Sequence, residues 1–69
     1  MSKKENKLGE KMKKLRKKEG ISQDGLSKKA DLAFYTIAKI ESGSTPNPSI
    51  DTVKKIANAL NVTVDELVK

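Results

Sequence analysis

Apolar residues recur at helical spacing in several segments of the 69-residue chain. Leu8, Met12 and Leu15 stand four and three residues apart, which places them on one face of a helix that Gly20 ends. A longer face with the same periodicity comprises Ile50, Val53, Ile56, Ala57 and Leu60. No strand pattern of alternating apolar and polar residues interrupts these segments. The sequence therefore predicts an all-α domain with a small core.

Between these two helices, the sequence predicts two shorter helices joined by a tight connection. Ser22 is a suitable N-cap for a helix over about 22–30. The next helix, over about 33–42, has two isoleucines three residues apart on one face and ends at Ser42-Gly43. Only about three residues separate the two helices, which is the geometry of a helix-turn-helix.

In the second half of the chain, the sequence predicts a loop and two further helices. Residues 44–48 contain two prolines, which hold the backbone extended. Ser49 can cap the fourth helix, which is expected to end near Asn61. Thr63 and Glu66 form the S/T-x-x-E capping box of a short fifth helix. The expected architecture is therefore a compact five-helix bundle.

Composition excludes several classes of function. The chain contains neither cysteine nor histidine, so disulfides, Cys/His zinc sites and histidine acid–base chemistry are absent. Its carboxylates are scattered and mostly at helix caps, so we expect no metal, no cofactor and no enzyme activity. No segment approaches the roughly 18 apolar residues of a membrane span. These exclusions favour a cytoplasmic protein that does not enter a membrane.

The net charge of +6 is placed unevenly. Residues 1–20 carry nine basic and three acidic groups, whereas residues 21–69 carry six of each. We expect residues 1–7 to form a basic N-terminal arm, followed by a single domain over 8–68. The lysines of the first helix are more typical of a solvated helix face than of a dedicated DNA surface.

Several fragments stand in one unbroken register from about residue 8 to residue 68. They are Leu15-Arg16, Ile21-Ser22-Gln23, Leu26-Ser27, Thr36-Ile37, Lys39-Ile40-Glu41-Ser42-Gly43, Ile50 through Leu60, and Val62 through Leu67. Together they resemble the Cro and phage-repressor helix-turn-helix family. The resemblance implies a lambda-repressor-like domain that binds double-stranded DNA. In such domains helices 2 and 3 form the helix-turn-helix, and the third helix, here about 33–42, lies in the major groove.

The resemblance also implies which residues contact DNA. On the exposed side of the third helix, Phe34, Tyr35, Thr36 and Lys39 match positions that commonly meet bases or nearby phosphates. Ala33 lies on the same exposed side and is expected to be part of the DNA-binding surface. Gln23 matches a position that contacts phosphate at the start of the second helix, and Ser44, Thr45 and Asn47 match positions near the backbone. The alternatives are a core position for Phe34, a protein-contact patch formed by the aromatic pair, and an ordinary first-turn role for Gln23.

Arg16 and Glu41 match a paired arginine and glutamate that link the first helix to the end of the third in this family. Arg16 is the only arginine of the chain, and a bidentate pair is a role in which lysine substitutes poorly. The resemblance implies that the pair positions the reading helix. The alternative is an exposed ion pair that contributes under about 1 kcal/mol.

Three residues depart from the family pattern around the turn. Ser27 stands where alanine is usual, so its hydroxyl needs a partner, for which a carbonyl one turn back is suitable. Asp31 replaces a frequent turn glycine, and Ala33 replaces a frequent serine or threonine cap. These departures predict a somewhat frayed turn.

The leading hypothesis is a sequence-specific transcriptional regulator that binds a palindromic site as a homodimer. The fifth helix, with Val64, Leu67 and Val68, is the predicted pairing surface, and closure of the monomer core is its alternative. A rival hypothesis is a protein-interaction module, similar to an antitoxin or a bridging factor, that retains the fold. The chain ends at Lys69 with no ligand-sensing domain, so we expect either a minimal regulator or a fragment of a longer one.

Overall fold

Five helices form the regular structure of the computed structural model, which describes residues 7–45 and 47–68. They are α1 (Lys7–Glu19), α2 (Gln23–Ala30), α3 (Phe34–Ser42), α4 (Ile50–Ala59) and α5 (Val64–Val68). The predicted all-α, five-helix architecture is confirmed for these residues. The predicted N-terminal arm lies outside the described residues except for Lys7, which begins α1.

Side-chain caps fix the beginnings of three helices, as the sequence predicts. The Ser22 and Ser49 hydroxyl oxygens each accept a hydrogen bond from the backbone N–H three residues later, at 3.0 and 3.2 Å. At α5, the Thr63 N–H donates to Glu66 Oε1 (2.9 Å) and the Glu66 N–H donates to Thr63 Oγ1 (3.0 Å). These bonds satisfy N–H groups that have no partner within the first turn of a helix.

The connection between α2 and α3 shows all three expected departures from the family pattern. Asp31 takes the left-handed conformation, with φ 59°, that a glycine would adopt more readily. Ser27 is buried, and its hydroxyl donates to the Asp24 carbonyl at 2.7 Å, one turn back. Ala33 begins α3 without a side-chain cap. The turn is nevertheless closed by backbone hydrogen bonds from the Asp31 N–H to the Lys28 carbonyl (3.3 Å) and from the Leu32 N–H to the Ser27 carbonyl (2.9 Å).

The core lies between the four longer helices and is closed by α5. α2 packs against α3 and α4, α1 packs against α3 and α5, and α4 packs against α5. The largest side chains that are fully buried are Met12, Leu26, Ile37, Ile40, Ile56, Leu60 and Leu67. Ile37 and Ile40 anchor α3 by one face, so the opposite face of this helix remains at the surface.

Two apolar residues lie elsewhere than the sequence predicts. Leu67 is only 1% exposed, so its assignment to a pairing surface is wrong, and the five-residue α5 uses it to close the monomer core. Ile50, predicted on the buried face of α4, is 66% exposed, because it is the first residue of the helix and the packed face starts one turn later at Val53. Val68 is 50% exposed.

A buried ion pair joins α1 to α3. Arg16 Nε donates to Glu41 Oε2 at 2.7 Å and Arg16 Nη2 donates to Glu41 Oε1 at 3.1 Å, which is the bidentate geometry of a strong pair. The Arg16 side chain is only 11% exposed and the Glu41 side chain only 4% exposed. Arg16 Nη1 also donates to the Ile21 carbonyl at 2.9 Å. The alternative of an exposed ion pair is therefore wrong.

The Glu41 carboxylate also forms a hydrogen bond to a residue of α2. Gln23 Nε2 donates to Glu41 Oε1 at 2.9 Å, so one side chain of α3 is bonded to residues of both preceding helices. We name Arg16, Gln23 and Glu41 the three-helix junction. Burial alone raises the pKa of Glu41, but the hydrogen bonds from Arg16 and Gln23 and the charges of Arg16 and Lys13 lower it more strongly. The pKa of Glu41 therefore lies below its ordinary value.

The contrast between Leu67 and Val68 gives a direct test of the core. Leu67→Ala is expected to lower the free energy of unfolding by about 2–5 kcal/mol, because it leaves a cavity under α5. Val68→Ala, one position away and half exposed, is expected to change it by less than about 1 kcal/mol. Urea unfolding of both variants measures the difference. Equal effects would contradict the placement of Leu67.

The three-helix junction predicts a pH dependence of stability. A group whose pKa is lower in the folded protein stabilises it above the ordinary pKa, about 4.3 for glutamate, and loses this effect as the pH falls through the folded value. Glu41→Gln should therefore cost about 3 kcal/mol at pH 7 and progressively less below about pH 4, where the wild-type carboxyl also becomes neutral.

Urea unfolding of wild type and Glu41→Gln at a series of pH values measures this difference. The matched control is Glu10→Gln on the exposed face of α1, whose effect is expected to stay within about 0.5 kcal/mol at every pH. A deficit of Glu41→Gln that is the same at pH 7 and pH 3 would show that the carboxylate charge is not what stabilises the junction.

Candidate nucleic-acid interface

The exposed face of α3 carries both aromatic residues of the chain. Phe34 is 50% exposed and Tyr35 is 68% exposed, so the predicted exposure of both is confirmed and a core position for Phe34 is wrong. Thr36 and Lys39 are half-buried, and Ala33, immediately before the helix, is exposed. The five predicted residues are thus all exposed or half-buried, distributed around the part of α3 that Ile37 and Ile40 leave outside the core.

Lys39 and Tyr35 are in contact on this face. The Lys39 ammonium nitrogen lies 5.0 Å from the centroid of the Tyr35 ring, within the distance of a cation–π interaction. The two residues stand four apart, a spacing that makes side chains neighbours on a helix surface. The spacing was visible in the sequence, but this contact was not among the sequence predictions.

The loop after α3 continues the surface with polar side chains. Gly43 ends the helix with φ 90°, and the Thr45 N–H donates to the Lys39 carbonyl at 3.2 Å, which ties the loop to the last turn. Ser44 and Asn47 are exposed and Thr45 is half-buried. The predicted loop residues are therefore neutral hydrogen-bonding groups that lie immediately beyond the C-terminus of α3.

Gln23, predicted to contact phosphate, is held by the three-helix junction. A primary amide has two N–H donors, and the bond to Glu41 orients the group so that its nitrogen faces α3. The side chain is half-buried rather than extended into solvent. Sequence reasoning missed this bond because Gln23 and Glu41 are 18 residues apart and no local pattern connects them.

Charge on α3 itself is sparse. Lys39 is the only basic residue of α3, and the charge of Glu41 is compensated by Arg16. Lys28 and Asp24 on α2 form a pair at 3.2 Å in which both side chains are largely exposed, so this pair adds little stability. The face therefore combines apolar surface, hydroxyl groups and one ammonium group rather than a strongly basic patch.

Neither metal chemistry nor a membrane span is indicated by the part of the chain that the structure describes. Within it, no three histidine, cysteine, aspartate or glutamate residues are grouped so that they could hold a metal ion. None of its helices is long and apolar enough to cross a bilayer.

Of the residues assigned to pairing, Val64 is half-buried and Val68 is exposed, on a helix that packs mainly against α1 and α4.

Comparison with known proteins identifies relatives with this fold. The HTH-type transcriptional regulator SinR of Bacillus subtilis is 35% identical over 60 residues, which are 87% of this chain and 54% of SinR. The chain thus spans about half the length of the curated relatives it matches.

Solved structures of SinR agree with this relationship. The N-terminal DNA-binding domain of SinR from B. subtilis superposes with a TM-score of 0.89 at 32% identity, covering 94% of each chain. A crystal structure of SinR in complex with DNA gives a TM-score of 0.87 at 34% identity, covering 90% of this chain and 98% of the other. The names of these relatives describe DNA-binding regulators, in agreement with the expectation that the chain is not an enzyme.

A family model described as helix-turn-helix matches residues 12–67, which include the three-helix junction, the turn and all of α3. Sequence, fold and family model therefore agree, and the chain belongs to the helix-turn-helix family.

Proposed function

We propose that this chain is a transcriptional regulator that binds double-stranded DNA in a sequence-specific manner, with α3 in the major groove. The observation that carries the proposal is the exposed surface of α3, to which Phe34, Tyr35, Thr36 and Lys39 all contribute, while Ile37 and Ile40 bury the other side of the helix in the core. A helix of this width fits the major groove, where base edges are accessible. SinR, a relative of the same fold, has been solved bound to DNA.

The chemistry of this face suits base recognition. The Lys39 ammonium can donate to guanine O6 or N7, and the Thr36 hydroxyl can donate or accept. The rings of Phe34 and Tyr35 offer apolar surface for a thymine methyl group. A face with one cation and several neutral groups derives more of its affinity from base edges and less from phosphate charge.

Gln23 and the loop after α3 are proposed to contact the phosphate backbone. The second N–H of the Gln23 amide is suited to a phosphate oxygen while the first stays on Glu41. Ser44, Thr45 and Asn47 offer hydroxyl and amide groups at the other end of α3. Because these groups are neutral, they release few counterions, and the slope of the logarithm of the binding constant against that of salt concentration should be shallow.

Binding as a homodimer on a palindromic or pseudo-palindromic site is part of the proposal. One domain of this size offers little interface, and two-fold pairing places two reading helices about 34 Å apart, one turn of DNA. Val68, half exposed on α5, with Val64 beside it, is the proposed centre of the pairing surface, whereas Leu67 belongs to the core. We further propose that the protein acts in the cytoplasm as a repressor that binds its operator.

A second candidate function rests on the same aromatic pair. Phe34 and Tyr35 are large, exposed and adjacent, and such pairs also anchor protein partners. An interaction module of this type would retain the fold but would select no DNA sequence.

Selection of bound sites from a random duplex library, followed by affinity measurement on the selected site, tests the proposed function. We expect a palindromic consensus with half-sites about one helical turn apart. Lys39→Ala should weaken binding to the consensus about 5- to 100-fold, because it removes the only cation of the reading face.

The matched control is Lys54→Ala, which removes an equal charge from the exposed side of α4 and should change affinity by less than about twofold. Absence of any enriched site, with no binding to random duplexes even at low salt, would overturn the proposed function. In that case the interaction module would be the better account of the exposed aromatic pair.

A further inference from the structure

We propose that Tyr35 is a positioning residue for Lys39, and that its ring fixes the direction from which the ammonium group reaches a base. The inference rests on the proposed function and concerns how the reading face discriminates between bases. It starts from the 5.0 Å contact between the Lys39 nitrogen and the Tyr35 ring.

An unrestrained lysine is a poor reader of sequence. Its ammonium group is a compact charge on a four-carbon stem, which can donate equally well to a phosphate oxygen, to guanine or to water. Discrimination between base pairs requires the donor to stay near O6 and N7 of one guanine. A lysine that carries specificity therefore needs a second contact that restricts its position.

Two observations show that Lys39 is restricted in this way. Its main chain is tied to the following loop, because the Lys39 carbonyl accepts a hydrogen bond from the Thr45 N–H at 3.2 Å. Lys39 is a half-buried residue, although lysines on exposed helix faces usually extend into solvent, and its ammonium nitrogen lies over the Tyr35 ring. Backbone and ammonium group are thus held at two separate points.

The surroundings leave Tyr35 as the partner that holds the ammonium group. In the described part of the chain Lys39 forms no ion pair, and Glu41, the one acidic residue of α3, is buried against Arg16 and Gln23. Tyr35 is itself 68% exposed, so one face of the ring can hold the lysine while the rest packs on a neighbouring base. The pair then acts as one reading unit.

Binding-site selection with paired variants tests the inference. Tyr35→Phe keeps the ring and should preserve the base preference that depends on Lys39, whereas Tyr35→Leu removes the ring and should lower that preference about threefold or more. The position that Lys39 reads is defined as the one whose preference is lost in Lys39→Met. All three variants are at exposed or half-buried sites, so their unfolding midpoints should remain close to that of the wild type.

A double-mutant cycle on the selected duplex separates positioning from an independent contact. If Tyr35 acts through Lys39, Tyr35→Leu has little further effect on the preference at that position in the Lys39→Met background. A second measurement needs no DNA: the Lys39 ε-methylene protons of the free protein should be shifted upfield by the Tyr35 ring current, in wild type and Tyr35→Phe but not in Tyr35→Leu.

Strictly additive effects of the two substitutions, or equal loss in Tyr35→Phe and Tyr35→Leu, would overturn the inference while leaving DNA binding intact. An unshifted ε-methylene signal in the wild-type protein would also overturn it. A wild-type protein that binds no duplex would overturn the proposed function first, and the inference with it.

Discussion

The carboxylate of Glu41 accepts hydrogen bonds from two other helices, and the orientation of α3 depends on them. Arg16 of α1 and Gln23 of α2 both donate to it, at distances between 2.7 and 3.1 Å. Removal of either charged partner leaves the other charge buried and uncompensated, which costs far more than the loss of an exposed pair. A core this small has few other means of fixing a nine-residue helix at a defined angle.

The three-helix junction also connects the stability of the fold to the proposed recognition of DNA. Gln23 is the residue proposed to meet phosphate, and its amide is oriented by the carboxylate that holds the reading helix. The helix and its proposed backbone contact are thus held together before DNA binds, which lowers the ordering cost of association.

Much of the fold could be predicted from the sequence because its determinants are local. Apolar spacing and caps such as Ser22 and Thr63 act within one or two turns, and they gave helix limits close to those observed. The errors concern the packing of helix ends. Leu67, expected at the surface, is buried, and Ile50, expected in the core, is exposed. Burial at the end of a helix depends on how far the neighbouring helices extend. The bond from Gln23 to Glu41 spans 18 residues and required the tertiary structure.

We propose that α3 enters the major groove as a helix already fixed by the three-helix junction. The most direct test is a structure of the protein bound to a duplex that it selects. We expect Lys39 within hydrogen-bond distance of a guanine, and a phosphate oxygen on Gln23 while its bond to Glu41 is retained. A complex in which α3 lies outside the groove, or in which Gln23 leaves Glu41 to reach DNA, would contradict this account.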